Sequence, residues 1–485
     1  MTDSWLLLTG GRVIDGLGNP PVDDCAVLVR GDRIHAIGPA ARADAVPRGE
    51  PLLTLDVTGR TVMPGLIDVH CHMTYGESRT EEEIDLYTSP ERRTLLAAHN
   101  ATKVLRAGVT SISQPGGSYF IGVGIRDGIR DGLVHGPRMT TAGRYLTTSN
   151  GLTDWYPDSV GVPAGNIGTL TNTVDQMREE IRHQVKNGVD LIKCADSPYG
   201  EYQAFTDDEM KAIADLTHQL RKKVTIHARG AAEVRAAARA GFDWIMHGNV
   251  LDDAAIEALA ETGTPLVPTL LLLANMADYR REAEVPAHQA DAVKRMLDKT
   301  ADSLHRAREA GVRFAVGTDS GFAVTAYGEW HARELQLLKD YAGLTSLEAI
   351  QAGTSGCAGM MNLEGQVGAV AEGMLADLIV ADGDPSRDLG VLVDPARILH
   401  VILGGVVQEF DEDLRSQIYQ HDRQPHEYSY KRLTYEMVVG DGTPAPATDV
   451  PWEAGQRADL VTDARRIEKA SRRAAREAYT DEFAD

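Results

Sequence analysis

Cysteine is scarce in this chain of 485 residues. Cys25, Cys71, Cys194 and Cys357 stand far apart, with no Cys-x-x-Cys spacing. That excludes a disulfide framework and a thiolate zinc module, and it fits a reduced compartment. Basic charge is also short: 49 Lys and Arg against 71 Asp and Glu give a formal net charge of −22, with no basic stretch large enough to offset it. Partners such as nucleic acid or an anionic membrane are therefore not expected. No apolar run reaches membrane-spanning length, and the start, Met1-Thr-Asp-Ser-Trp-Leu-Leu-Leu8, lacks the basic opening and long apolar run of a secretion signal. A soluble, cytoplasmic protein is the expectation.

What is present is ordinary for a globular protein, 43% hydrophobic and 25% charged. The length leaves room for a large core and a satellite domain. Residues 5–60 read as short strands broken by Gly, Pro and Asp turns, as in Leu6-Leu-Leu-Thr-Gly-Gly-Arg-Val-Ile-Asp15 and Ala26-Val-Leu-Val-Arg30. The same texture returns in Ala376-Asp-Leu-Ile-Val-Ala-Asp382 and Ile398–Val407. Two β-rich ends around a long middle suggest one small β-sandwich built from both ends of the chain.

The middle alternates strands with amphipathic helices. Helices are expected over 91–107, 174–187, 207–222, 231–240, 252–262 and 287–310, several closing on a glycine (Gly108, Gly188, Gly241, Gly311) suited to a helix C-cap. Strands are expected before His70 and at 109–113, 138–142, 189–193, 224–227, 244–247, 265–269 and 312–319. Eight β/α repeats predict an α/β fold, a (β/α)8 TIM barrel. The expected domains are 1–60 (first part of the sandwich), 61–361 (barrel), 362–410 (second part) and 411–485, an extension with a charged helix over 457–478. That helix is read as solvated, or as an arm on a neighbouring subunit.

Chemistry concentrates at the C-terminal ends of such strands. In Thr61-Val-Met-Pro-Gly-Leu-Ile-Asp-Val-His-Cys-His72, the alternation of side chains points His70 and His72 the same way, a natural start for a transition-metal site. Lys193, His227, His247 and Asp319 each close a short apolar run at a matching position. Any one of them could be a core residue; the matching places of all six argue otherwise. Cys71 and Cys194 adjoin these residues with opposite strand parity and read as packing. Lys193 is an ordinary ion-pair partner or something more specific. Desolvated among cations, its amine loses its proton readily, and carboxylation by CO2 would make it an anionic oxygen ligand able to bridge two metals. Arg229 shares strand parity with His227 and reaches toward a substrate carboxylate or carbonyl, or closes an ion pair at the rim. Tyr145, Trp155 and Tyr156 lie in an aromatic segment after the third strand and either line the pocket or pack.

The set resembles the amidohydrolase superfamily, in particular its binuclear branch of prolidase-like, Xaa-Arg, ochratoxinase-like and imidazolonepropionase-related hydrolases. The likeness runs through Pro64-Gly-Leu-Ile-Asp-Val-His-Cys-His72, His135-Gly-Pro-Arg138, Ile192-Lys193, Ile226-His-Ala-Arg-Gly230, Met246-His-Gly248, Gly317-Thr-Asp-Ser320 and Glu372-Gly-Met-Leu-Ala-Asp-Leu-Ile-Val380. It implies that His70, His72 and Asp319 hold the more buried of two divalent ions, that His227 and His247 hold the other, and that carboxylated Lys193 bridges them. Zinc is the first choice, with manganese or cobalt as alternatives. A hydroxide shared by the metals would attack an amide-type C–N bond, with Asp319 as general base and then acid. A small-molecule substrate and a homo-oligomer are expected. The chain departs from prolidase-like members where they carry Thr-Gly-Gly-His and it reads Thr148-Ser-Asn150-Gly151. Three other readings are a ring deaminase, against which Lys193 counts, a lactone or phosphoester hydrolase, and a metal-free scaffold.

Overall fold

The computed structural model describes residues 4–411 and 431–440. The helix expected over 457–478 lies outside them. Strands β1 (Trp5–Val13), β2 (Val22–Arg30), β3 (Arg33–Ile37), β4 (Leu52–Asp56) and β5 (Thr61–Pro64) come first. The middle holds β6 (Leu66–Asp68), β7 (Val109–Gln114), β8 (Arg138–Thr141), β9 (Tyr145–Thr147), β10 (Gly168–Leu170), β11 (Leu191–Ala195), β12 (Lys223–Gly230), β13 (Trp244–Val250) and β14 (Leu266–Val267). Then follow β15 (Leu378–Ala381), β16 (Ile398–Leu403) and β17 (Val406–Val407).

Strands from residues 5–64 and 378–407 meet in one eight-stranded sheet, ordered β17-β16-β15-β5-β1-β2-β3, with β4 beside β1. Along β1 successive side chains alternate faces, so Leu6 and Leu8 join one apolar cluster with Val27, Val62 and Val380, while Trp5 and Leu7 join another with Leu28 and Ala36. In the middle, β6-β7-β8 and β10-β9-β11-β12-β13-β14 form two sheets whose neighbours are all parallel. Helices alternate with these strands, and the whole is a TIM-barrel-like α/β fold. Single backbone hydrogen bonds extend the pairing beyond each sheet: Asp190 N donates to Thr141 O at 2.8 Å, and Leu266 N to Arg313 O at 2.9 Å. Among the described residues no helix is long and apolar enough to cross a membrane.

Helices observed at Pro90–Arg106, Val174–Lys186, Asp207–Gln219, Ala231–Ala240, Asp253–Thr262 and Ala287–Glu309 match the apolar periodicity within a few residues. Gly241 closes its helix at φ +94°, a left-handed conformation that a side chain would strain.

The differences have local causes. The strand expected over 265–269 is confined to Leu266–Val267, because Pro265 and Pro268 carry no N–H for a ladder. Residues 312–319 form no regular strand. They pair at isolated points on either side, Asp319 N to His70 O at 2.7 Å on one and Ala315 N to Leu266 O at 3.0 Å on the other, among others. The helix Ile121–Arg130 was not signalled by its sequence, since Gly122, Gly124 and Gly128 weaken any helical reading. At Gly122 the reason is close approach: a Cβ there would fall 2.2 Å from both Gln114 Nε2 and Thr141 Oγ1.

Candidate metal centre

Parallel strands deliver the expected side chains to one place. His70 and His72 follow the end of β6, Lys193 lies on β11, His227 on β12, His247 on β13, and Asp319 ends the irregular 312–319 segment. All six are buried. The ring centroids of His70 and His72 are 4.9 Å apart, those of His70 and His247 5.3 Å, and those of His227 and His247 4.3 Å. Ligand atoms of His70, His247 and Asp319 lie within 4.8 Å of one another. His247 (φ +76°) and Asp319 (φ +55°) hold left-handed backbone conformations, each costing on the order of 1–3 kcal/mol that the surrounding packing must sustain.

Hydrogen bonding fixes how the first pair presents itself. Thr269 Oγ1 spends its proton on Val267 O at 3.2 Å, so at 3.0 Å it accepts from His70 Nδ1–H. His72 Nδ1 lies 2.9 Å from Gly116 O, a pure acceptor, and therefore donates to it. Both rings thus carry hydrogen on Nδ1 and turn Nε2 toward Asp319 Oδ1, at 3.4 Å from His70 and 3.1 Å from His72. Two lone pairs and a carboxylate oxygen so close repel unless a cation lies among them. Protonating the imidazole is disfavoured at His70, where burial first, then the Lys193, His72, His227 and Arg229 charges, depress the pKa well below the ordinary value.

The second pair makes the same point. Among the described residues, buried His227 Nε2 and both ring nitrogens of His247 have no hydrogen-bond partner. Burial above all, then the Arg229 charge, holds both rings well below the usual imidazole range. Buried polar atoms are rarely left orphaned. Neutral imidazoles converging with a carboxylate fit a divalent transition metal. Lys193 is 1% exposed, and desolvation pulls its amine down to about 7 although Asp319 opposes the shift. Its Nζ lies against Met246 Sδ and 5.7 Å from the Tyr145 ring centroid.

The residues expected to meet substrate divide. Tyr145 belongs to the cluster: its hydroxyl lies 3.3 and 3.2 Å from the two ring nitrogens of His72, and it hydrogen-bonds Tyr75, which stacks on His72 at 4.2 Å. Burial, then Asp319, lifts its pKa well above the phenol value, so it keeps its proton. Half-buried Arg229 places Nη1 2.7 Å from Asn249 Oδ1 while its charge is felt by His227 and His247. Trp155 instead gives its indole N–H to Asp85 Oδ2 at 3.0 Å, and the same carboxylate, raised by burial to about 7, helps hold the Tyr156 phenol protonated. Trp155 and Tyr156 are thus tied to the short helix Glu81–Asp85.

Three supporting residues escaped the sequence reading. Asp68 Oδ1 accepts from His70 N at 3.0 Å and Thr318 N at 3.1 Å, tying together the two segments that carry His70 and Asp319. Its Oδ2 takes the Thr318 hydroxyl and, at 2.8 Å, His331 Nδ1. Asp68, Cys71 and His331 are close enough to suggest a second metal group, but these donors already use the carboxylate. Asp68 was signalled by its place two residues before His70, whereas nothing in the sequence marks His331 or Thr269. Because Thr269 sets the His70 tautomer, Thr269→Val is expected to weaken metal binding about 10–100-fold with little change in fold. Chelator competition measures this; unchanged affinity would show that the hydroxyl does not orient the ring.

Known proteins resemble this chain over most of its length. Ochratoxinase from Aspergillus niger is 27% identical over 428 residues, covering 82% of this chain and 85% of its own. A prolidase solved with N-methylphosphonate-L-proline superposes with a TM-score of 0.74 at 28% identity, covering 84% of this chain and 100% of its own. A Xaa-Pro dipeptidase with methionine in its active site gives 0.72 at 26%, with the same coverage. Residues 61–407 match the model of the Amidohydrolase family, and the chain belongs to that family.

Proposed function

We propose that the chain is a metal-dependent hydrolase of an amide-type C–N bond in a small substrate: a dipeptide, an N-acyl amino acid, a carbamate or a urea derivative. The observation that carries this reading is the set of imidazole nitrogens, two of them facing the Asp319 carboxylate and three without a partner among the described residues. In this reading His70, His72 and Asp319 hold one divalent ion, His227 and His247 hold a second, and Lys193, carboxylated by CO2, joins the two. The imidazole-rich set favours zinc, with manganese or cobalt as alternatives. Such ions, when bound, lower the pKa of water and polarise a carbonyl.

The protein's own groups do the remaining work. Asp319 takes the proton of the attacking water and passes it to the leaving nitrogen. Tyr145, kept protonated by burial, donates to the oxygen on which negative charge develops. Arg229 pairs with an anionic substrate group. The prolidase and dipeptidase among the similar structures support an amide substrate, while Thr148-Ser-Asn150 in place of Thr-Gly-Gly-His points away from the same dipeptides. The scaffold reads as a closed barrel over 61–361, with 312–319 as its eighth staves-like member, and a sandwich from 1–60 and 362–410.

Metal-loaded protein offered N-acyl amino acids, dipeptides, aryl ureas and carbamates should release an amine from at least one class, and a chelator should abolish the release. Cleavage indifferent to chelator, or none across the panel, contradicts the proposal. Arg229→Met is expected to raise KM for anionic substrates about tenfold or more while kcat changes little. An equal loss on neutral substrates would remove Arg229 from substrate binding.

A further inference from the structure

The segment Lys431–Gly440 lies beyond the family-matched residues 61–407, and no step above uses it. It nevertheless enters the interior beside the site. Arg432 Nε lies 2.6 Å from Glu77 Oε2 and its Nη2 3.2 Å from Glu329 Oε1. The Glu77 side chain is fully buried and that of Arg432 is 12% exposed. Lys103 Nζ adds a second cation 3.5 Å from Glu77 Oε1. The next residue, Leu433, is completely buried; its N–H donates to Ala323 O at 2.9 Å, and its carbonyl accepts from Trp330 Nε1 at 3.0 Å. Tyr435 N then donates to Glu329 Oε2 at 2.9 Å.

The two acids belong to two particular loops. Glu77 is in the loop that follows His72, at a left-handed φ of +59°, and Glu329 is in the loop that follows Asp319. Those loops are already joined near the ligands: Ser78 N donates to Gly321 O at 3.1 Å, Ala323 N to Ser78 O at 2.8 Å, and the Tyr327 hydroxyl to His72 O. Thr325 Oγ1 donates to Asp319 O at 3.0 Å. Arg432 therefore spans the outer side of a junction whose inner side carries the backbone of His72 and Asp319. Without its guanidinium, Glu77 keeps Lys103 at 3.5 Å, and Glu329 loses the cation that holds it toward Glu77. Removing one partner of a buried charge network forces the others to move or take in water.

We propose that residues 431–440, through Arg432, form a strap that positions His72 and Asp319, so that metal retention at this pair depends on a segment outside the family-matched region. The proposal rests on the metal reading given above. Arg432 is a positioning residue, acting only through the two loops.

The test is Zn2+ affinity of the full chain by competition with a chromogenic chelator, measured beside thermal unfolding of the metal-free protein. Arg432→Met is expected to weaken Zn2+ binding about 10–100-fold, the range seen when support behind a ligand is lost. Arg432→Lys, which keeps the charge but not the fork, should recover part of it. Glu329→Gln should shift affinity in the same direction by less, and it carries the test if Arg432→Met does not fold. Arg138→Met is the comparison: it breaks the half-buried Arg138–Asp377 ion pair (2.6 Å) at the opposite, N-terminal end of β8, and should lower the unfolding temperature while leaving affinity unchanged. Wild-type affinity in Arg432→Met, or in Glu329→Gln where that variant stands in, overturns the strap, as does an equal loss in Arg138→Met. A wild-type chain that takes up no Zn2+ overturns the metal reading itself, and the strap with it.

Discussion

Replacing Asp319 by Asn is expected to lower turnover by about 10²–10⁴-fold, the usual contribution of a positioned proton carrier. The substitution keeps the shape of the side chain, and asparagine tolerates the φ of +55° found here, so the fold should survive. What it removes is the negative charge facing the Nε2 atoms of His70 and His72 at 3.4 and 3.1 Å, together with the only carboxylate among the six clustered side chains. Substrate binding through Arg229 and the pocket walls is largely retained, so KM should change far less than kcat. Steady-state kinetics on any cleaved substrate, with unfolding temperature as a control, decides the matter. Turnover within a few-fold of wild type would take the proton-transfer role away from Asp319.

Lys193→Ala should be equally damaging by another route. Lys193 is 1% exposed, and burial brings the pKa of its amine down to about 7. The direction fixes the pH dependence: above that value the free amine dominates and can capture CO2, and below it protonation closes the reaction. Carboxylation should therefore rise with pH through neutrality and fall about tenfold for each unit below the amine's pKa. Carbon-13 NMR of the lysine carbamate in 13C-bicarbonate follows this directly. Lys193→Ala should lose the bridging ligand and with it most of the bound metal and activity. Short carboxylic acids, which fit the space left by the side chain, should restore part of both. Full activity in the variant, or no carbamate at any pH in the wild type, would refute the bridge.

Much of this arrangement was legible in the chain because its signals are local. The β/α alternation and the helices before Gly108, Gly188, Gly241 and Gly311 follow from apolar periodicity and from glycine's access to positive φ. The six clustered side chains were visible because strand ends are where a TIM-barrel-like fold gathers reactive groups. The irregular path of 312–319 was not visible: its apolar run reads as a strand, yet its pairing alternates between neighbours distant in sequence. The short strands Tyr145–Thr147 and Gly168–Leu170 were hidden in a segment that reads as loop. The supports were hidden for a related reason. His331 reaches Asp68 across 263 positions, and Thr269 reaches His70 across 199. Trp155 was legible only as an aromatic after the third strand, to line the pocket or to pack; the bond of its indole N–H to Asp85 spans 70 positions and has no sequence signal. Arg432 was legible only as one charge in a polar tail.

Elemental analysis of the full chain, reconstituted with Zn2+ and freed of excess metal by gel filtration, tests the central claim most directly. Roughly two equivalents should remain per chain, as expected of a binuclear hydrolase site, with His70→Ala and His247→Ala each retaining less. A wild-type chain that retains no metal at neutral pH would contradict the account.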